Sequence, residues 1–485
     1  MKIRNELLPH QHEAVKKLRR YKVGALFMEQ GTGKTITAID LCRIKIDKNK
    51  IDKIIWLCPC SAKDNIKEEI IKQAPREMLP YIIICGIETL STSVRANAYL
   101  YNMAIIKSCA LVIDESLLIK NPKAKRTQNI LRLAKKADYR LILNGSPISK
   151  DERDLYSQFY ALDWRILGYQ TYWAFEANHI EYDEAIPNKV VQMLNVDYLI
   201  KRIEPYTFKI SKDDCLNLPA KMYDTKFFYL TPQQEMHYFD IAEKLFLEID
   251  EYKPETIYQF LSALQAILSG REVVLKSRKG RTFYKTKPFF INPGENPRLK
   301  KLDDYLDNTA KTIIYCNYTE EIENILTLIN EKYGQGTAVR FDGKISNKER
   351  QKNRKLFKEN ATFLIANPRC AGYSLNLQFC HRIIYFSNNW DLAPRIQSED
   401  RVHRYGQKDN VEIIDICAID TLDERIKQCL ERKEDLLEYI KKQIGGADKM
   451  KLQEFLKVKR YDEIVNKRPS IYDCSDLEVE DAQDI

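Results

Sequence analysis

LFMEQGTGKTITAID, residues 26–40, decides the fold. An apolar run ends at Met28, glycines stand at 31 and 33, and a helix-forming stretch opens at Lys34. Glycines at those two places let the backbone curl until its N–H groups face an anion, and the helix that starts there adds the positive end of its dipole. Read as a phosphate-binding loop, Gln30, Gly31, Thr32 and Gly33 line the phosphates of a nucleotide. Lys34 reaches the β- and γ-phosphates, and the Thr35 hydroxyl ligates Mg²⁺. Met28 departs from the usual glycine or alanine five residues before Gly33. Such a loop joins a strand to a helix in a parallel sheet, so strands and helices should alternate around it.

They do. DKIIWLCP (52–59), YIIIC (81–85), ALVIDE (110–115) and YRLILNG (139–145) are brief apolar runs closed by polar or turn residues, the pattern of buried strands. KTITAIDLCRIKI (34–46) and KDNIKEEIIKQA (63–74) read as helices between them. The alternation returns after residue 300 with TIIYC, TAVRF, TFLIA, RIIYF and VEIIDI, separated by helical stretches such as NKERQKNRKLFKE. The fold class expected is α/β, two lobes with parallel sheets, and no sequence repeat relates them. A chain of 485 residues is too long for one core, which fits two lobes.

Between the lobes, roughly 160 to 300, the alternation lapses. Residues 230–270 read as helical, and VVLKSRKGRTFYKTKPFF (273–290) as a hairpin turning at Lys279-Gly280. From Arg271 to Lys287 there are seven Lys/Arg and one acid, Glu272, so Lys279 and Arg281 are candidate contacts to a phosphate backbone, set against the simpler reading of a solvated hairpin. The organisation expected is a first lobe over 1–160, a helical extension and linker over 161–215, a helical insertion with the basic hairpin over 216–300, a second lobe over 301–445, and a tail over 446–485 with an acidic end.

Bulk composition is that of an ordinary globular chain, 44% hydrophobic and 30% charged, with a net charge of +9 that permits an anionic partner without requiring one. The twelve cysteines are scattered in apolar runs; the closest pair, Cys58 and Cys60, forms no CxxC, so free thiols in a reducing compartment are expected rather than zinc or disulfides. MKIRNELLPHQ lacks an apolar signal core and no apolar stretch is long enough to span a bilayer, so the expectation is a soluble cytoplasmic protein without membrane contact.

A phosphate loop needs a metal-orienting acid at a neighbouring strand tip. ALVIDES supplies Asp114 to hold the Mg²⁺ and Glu115 to polarise the attacking water. QSEDRVHRYGQ (397–407) then sets Arg401 and Arg404 three residues apart, with Gln397 a turn earlier, a spacing that places all three on one face of a helix. An arginine brought to the γ-phosphate from the second lobe supplies about 10³ to 10⁵-fold in rate in other nucleotidases. Hydrolysis would then be tied to lobe movement.

Taken together these segments resemble the Swi/Snf-type ATPases of helicase superfamily two, over about residues 5 to 430. LLPHQHEAVKKL is similar to the entry segment whose glutamine, here Gln11, recognises adenine. CPCSAKDNIKEEI and IETLS resemble the segments that track a DNA strand, which implies Pro59, Ser61 and Thr89 as contacts. DESLLIKN resembles the acid motif with its following Lys120 and Asn121, and LNGSPISKDERDLYSQFYALD the coupling motif, with Asn144, Gly145 and Ser146 at its centre. RIEPYTFKISKDDCLNLPAK is similar to the lobe-bridging segment. In the second lobe TIIYCNYTEE and RFDGKISNKERQKNRKLF match the next motifs, implying Asn317 at DNA. NPRCAGYSLNLQFCHRIIYFSNNWDLAPRIQSEDRVHRYGQKDNVEI matches the last two, with Gly372, Leu375 and Asn376 near DNA and Gln397, Arg401 and Arg404 at the nucleotide. Besides Met28, the chain departs from the family at Asn144 and Ser146, where threonines are usual, at Leu117 where histidine is usual, at Ser374 for glycine, and at Ile66 for tryptophan. They touch the tightness of DNA coupling and leave the phosphate ligands in place. His403, Trp164 and Trp390 read as structural.

The resemblance implies an ATP- and Mg²⁺-dependent translocase that hydrolyses ATP on duplex or branched DNA and remodels DNA or displaces bound protein. It would work in a prokaryotic cell or a virus-infected host cell, nucleoid-associated when on DNA, with a possible protein partner such as a nuclease or replication protein. The alternatives are a strand-separating DNA or RNA helicase and, of another class, a scaffold subunit with a decayed ATPase.

Overall fold

The computed structural model describes residues 1, 3–149, 151–183, 190–249, 254–278, 281–371, 377–432, 436 and 440. Lys279, Gly372, Leu375, Asn376 and the tail over 446–485 lie outside the described residues. The chain divides into two compact units: Met1–Ala220 with Arg369–Phe379 and Gln397–Asp409, and Lys221–Pro368 with Cys380–Ile396 and Asn410–Ile485.

The first unit is built on a parallel sheet of six strands: β1 (Val23–Met28), β2 (Lys53–Cys58), β3 (Ile82–Gly86), β4 (Cys109–Asp114), β5 (Tyr139–Asn144) and, after a small antiparallel pair β6 (Ile180–Tyr182) and β7 (Val190–Met193), β8 (Thr207–Ile210). The spatial order is β3-β2-β4-β5-β1-β8. Side chains alternate between faces: Val23, Ala25 and Phe27 enter one core, Leu26 and Met28 the other. Both faces are covered, which is why these strands read as unbroken apolar runs. Each aliphatic side chain so buried is worth roughly 1.5–3 kcal/mol. Register brings Phe27 opposite Asn144 and Leu143 opposite Asp114, so the carboxyl ends of β1, β4 and β5 finish level. The P-loop helix, Lys34–Asp47, leaves from that edge.

The second unit repeats the plan with β9 (Lys221–Phe228), β12 (Thr312–Tyr315), β13 (Ala338–Phe341), β14 (Phe363–Ala366), β15 (Arg382–Tyr385) and β16 (Val411–Ala418), in the order β13-β14-β12-β15-β16-β9, all parallel. These are the two RecA-like lobes implied by the sequence. Helices Pro232–Leu247 and Pro254–Leu268 and the hairpin β10 (Arg271–Arg278) and β11 (Arg281–Pro288) join its core. Hairpin register pairs Arg278 with Arg281.

Three stretches differ from the sequence reading. KMYDTKFF, the start of the expected helical insertion, is the edge strand β9; an edge strand is buried on one side only, so its charges hide it from an apolar-run criterion. TFKI of the bridging segment is a sixth strand beside β1. The helix bearing Gln397, Leu392–Glu399, stops before the two arginines. There Val402 N–H bonds Glu399 O (3.0 Å) and Arg404 N–H bonds Val402 O (3.1 Å), while the Arg401 carbonyl accepts from Leu377 N–H (3.0 Å). A carbonyl captured from outside leaves no ladder to propagate, so Arg401 and Arg404 sit on successive turns rather than one helix face.

Candidate active site

Gly31 and Gly33 have φ of +88° and +92°, the left-handed region that favours glycine. A Cβ at Gly33 would lie 2.1 Å from Gln11 Nε2, and one at Gly31 2.8 Å from the Arg404 Cβ, so space as well as conformation demands glycine. Between them the Thr32 hydroxyl donates to Glu29 O (2.7 Å), and the Thr32 carbonyl contacts His10 Nε2 (2.7 Å) and accepts from Gln11 Nε2 (2.9 Å). Gln11 Oε1 accepts from Leu8 N–H (2.9 Å). Helix Pro9–Leu18 thus clamps the loop from its first turn, and in this state both ends of the Gln11 amide hold backbone. His10, buried, was missed from sequence; its one signal was standing beside Gln11.

Met28 ends β1 with its side chain fully buried, and what the loop uses is its carbonyl, which any residue provides. Lys34 Nζ donates to that carbonyl at 2.7 Å. Burial pulls the Lys34 ammonium below its ordinary range and Arg401 adds to this, while Glu115 and Asp114 oppose it. Thr35, half-buried, follows at the first turn of the helix.

Asp114 closes β4, buried, and Glu115 follows with φ +54°, a conformation that costs a non-glycine residue about 1–2 kcal/mol. Strain of that kind turns a side chain where a regular strand would not. Glu115 N–H bonds Asp114 Oδ1 (3.1 Å). Burial, then the neighbouring Glu115 carboxylate, push the Asp114 carboxyl up to about 7, and Lys34 pulls it down. A buried carboxyl with a half-buried carboxylate beside it fits a divalent cation, with Asp114 and the Thr35 hydroxyl as the oxygen donors.

Asn144, buried at the end of β5, has an Nδ2 without a hydrogen-bond partner among the described residues. A Cβ at Gly145 would lie 3.8–3.9 Å from Gln30 and the Met28 carbonyl, so the coupling segment runs against the phosphate loop. Ser146 Oγ donates to Ile148 O (2.9 Å).

The arginine segment packs on the same loop within the first unit. Arg401 Nη2 donates to Gln30 Oε1 at 2.6 Å. Burial lowers the Arg404 guanidinium below its ordinary range. The segment is held by Lys212 of the bridging stretch, a residue given no role from the sequence. Lys212 forms a buried ion pair with Asp400 and also reaches His403 O (3.2 Å), while its N–H bonds Glu29 Oε2 (2.9 Å). His403 Nε2 contacts Pro219 O (2.8 Å), a structural place. Gln397 is half-buried on its helix.

Of the DNA candidates, Pro59 is buried and Ser61 exposed, on either side of Cys60, whose N–H bonds Glu88 (2.8 Å) and whose Sγ lies 3.5 Å from Thr89 Oγ1. The two strand-tracking segments therefore meet. Lys120 Nζ bonds Ser149 Oγ and lies 3.6 Å from Asp154, and Asn121 Oδ1 accepts from Lys123 N–H (2.9 Å). In the second unit Asn317 N–H bonds Ser387 Oγ (2.9 Å) and the buried Glu321 carboxylate (3.0 Å). Arg281 opens β11.

Comparison with known proteins gives two family matches in order along the chain: the SNF2-related domain over residues 81–278 and the helicase conserved C-terminal domain over 297–406. An uncharacterized ATP-dependent helicase of Mycoplasma pneumoniae is 24% identical over 451 residues, 88% of this chain and 41% of its own. The TATA-binding protein-associated factor mot1 of Aspergillus fumigatus is 23% identical over 94% of this chain and 28% of its own. The uncharacterized ATP-dependent helicase YqhH of Bacillus subtilis is 23% identical over 91% and 80% respectively. The chain spans about two fifths of the length of the mycoplasma relatives and under a third of mot1. Among solved structures, the Sulfolobus solfataricus SWI2/SNF2 ATPase core in complex with dsDNA aligns over 94% of this chain and 98% of that one, at 23% identity and a TM-score of 0.39. The chain thus carries an SNF2-related domain followed by a helicase conserved C-terminal domain, the pairing that its likeness to the Swi/Snf-type ATPases of helicase superfamily two implies.

Proposed function

We propose that this chain hydrolyses ATP when DNA is bound, and uses the cycle to move along duplex or branched DNA and remodel it or displace bound protein. The observation that carries the reading is the gathering of Lys34, Asp114, Glu115 and Arg401 about one phosphate loop. Gln30, Gly31, Thr32, Gly33 and Thr35 would cradle the triphosphate beside the N-terminus of helix Lys34–Asp47, and Gln11 would read the adenine. Lys34 exchanges the Met28 carbonyl for the β- and γ-phosphates. Glu115 accepts the proton of the attacking water. Arg401 and Arg404 spread the charge that builds on the γ-phosphoryl oxygens, with Gln397 beside them. Asp114 and Thr35 would hold Mg²⁺, which neutralises the phosphates when bound.

Movement of one lobe against the other would carry the step along DNA, with Asn144, Gly145 and Ser146 passing the state of the phosphate site to the strand. Pro59, Ser61, Thr89, Lys120, Asn121, Asn317, Gly372, Asn376, Lys279 and Arg281 are the proposed grip on DNA. It would be mostly phosphate contact and therefore weakened by salt. That mot1 is named for association with the TATA-binding protein fits a chain that meets other proteins on DNA. Any cleavage of DNA would belong to a partner, and the work would be done in the cytoplasm, where the DNA of a prokaryotic or infecting genome lies.

The test is ATP hydrolysis by wild type and Lys34→Ala with no nucleic acid, single-stranded, duplex and forked DNA, and RNA, at fixed salt. Stimulation by duplex or fork, lost in the variant, is the expected outcome. Preference for RNA or single strands would replace the translocase by a strand-separating helicase, and equal rates for both proteins would leave a nucleic-acid-binding subunit without its own ATPase.

A further inference from the structure

Gln158 stands near the far end of the coupling stretch, twelve residues past Ser146, and lies fully buried on helix Asp154–Leu162. Its Oε1 accepts from the Ser116 hydroxyl at 2.6 Å. Ser116, also without exposure, directly follows the strained Glu115 and opens the short turn Ser116–Ile119. Gln158 Nε2 donates to the carbonyl of Pro147 (2.7 Å), the residue after Asn144-Gly145-Ser146, and to Asp154 O (2.7 Å) of its own helix. The amide is thus divided: the acceptor side holds the acid motif, the donor side holds the coupling segment. A second connection runs alongside it, from Lys120 at the end of the same turn to Ser149, whose N–H and hydroxyl both bond Asp154 Oδ2 (2.8 and 2.7 Å).

Stability alone does not call for such a pair. Neutral polar groups fully buried among Leu155, Phe159 and Leu162 gain little net free energy even when every bond is made, and apolar residues of the same shape do as well. What the pair does supply is direction. A hydroxyl and an amide accept one geometry, so a change in the set of Glu115 and Ser116 cannot be absorbed by sliding, as it would be between methyl groups. It displaces Gln158 or the Pro147 carbonyl. The position next to Ser116 is Leu117, which has no polar group to make a connection of its own.

We propose that Gln158, through Ser116 and the Pro147 carbonyl, is a positioning residue that passes the state of the Asp114–Glu115 pair to the Asn144–Ser146 segment. The inference rests on the proposed ATPase reading and adds a residue to which that reading gives no role. The test compares wild type, Gln158→Leu and the double variant Ser116→Ala/Gln158→Leu, in which the Ser116 hydroxyl is not left orphaned and only the half-buried Pro147 carbonyl loses its donor. Three readouts are taken: thermal stability, kcat and KM for ATP with and without duplex DNA, and amide exchange of residues 145–149 with and without a non-hydrolysable ATP analogue and Mg²⁺.

The double variant should melt near wild type and keep its KM. Its DNA-stimulated kcat should fall about tenfold, the rate equivalent of one net hydrogen bond, and analogue binding should no longer slow exchange over 145–149. A double variant with wild-type kcat and wild-type protection on analogue binding would reduce the pair to packing and overturn the proposal. If wild type hydrolyses ATP without response to DNA, the translocase reading fails while the exchange comparison still decides the role of Gln158.

Discussion

At the scale of single residues, the phosphate site is set by a few groups in unusual environments. Lys34 is buried against a carbonyl, Glu115 is held at a positive φ, and Asp114 is a buried carboxyl beside another. Because the Asp114 pKa is raised above its unfolded value of about 3.9, the fold favours the protonated form. Its stabilising contribution is present below the unfolded pKa and is lost as pH rises through about 7. Asp114→Asn should therefore raise the melting temperature of the metal-free protein at pH 8 relative to its effect at pH 5. The difference should widen by about 2–3 kcal/mol over that interval. Millimolar Mg²⁺ should shrink the gain by stabilising only the wild type, and a gain independent of pH would contradict the assignment. Arg401→Ala should lower stimulated kcat by about 10³-fold or more with a much smaller change in ATP affinity, measured by nucleotide binding beside turnover. An affinity loss that accounts for the whole effect would make Arg401 a ground-state ligand only.

At the scale of elements, the loop is held by pieces that come from far along the chain. The Lys212–Asp400 pair spans 188 residues of sequence, and Lys212 N–H bonds Glu29 at the root of the loop. Removing one partner of a buried pair leaves the other charged and desolvated, so Lys212→Met should cost about 3–5 kcal/mol. The loss should be concentrated in the exchange protection of residues 397–409, and Lys212→Met/Asp400→Leu should recover most of it. Uniform loss across the chain, without recovery in the double variant, would show the pair to be incidental.

This long-range character explains what the sequence could reveal. The loop, the acid pair and the apolar strands were legible because their chemistry is local: glycines beside Lys34, an acid at the end of four apolar residues. Gln158, His10 and Lys212 were not, since each does its work through partners 11 to 191 residues away, without a spacing that repeats. β9 was missed because an edge strand buries one side, and the helix face expected for Arg401 and Arg404 failed because a tertiary bond from Leu377 ends it.

At the scale of the whole molecule, two parallel six-stranded sheets on one chain supply one catalytic edge and a second body of similar build. A machine of this kind should hold DNA mainly by its phosphates, so affinity for duplex should fall steeply between 50 and 200 mM salt, with little dependence on sequence. A shallow salt dependence with strong sequence preference would point to base readout instead.

The most direct measurement is displacement of a fluorescent third strand from a triplex at one end of a long duplex. With ATP and Mg²⁺ the wild-type chain should strip the third strand at a rate that falls as the duplex track is shortened, leave the duplex paired, and lose the activity as Lys34→Ala. Hydrolysis of ATP on the same DNA with the third strand left in place, or release of a duplex strand instead, would contradict translocation.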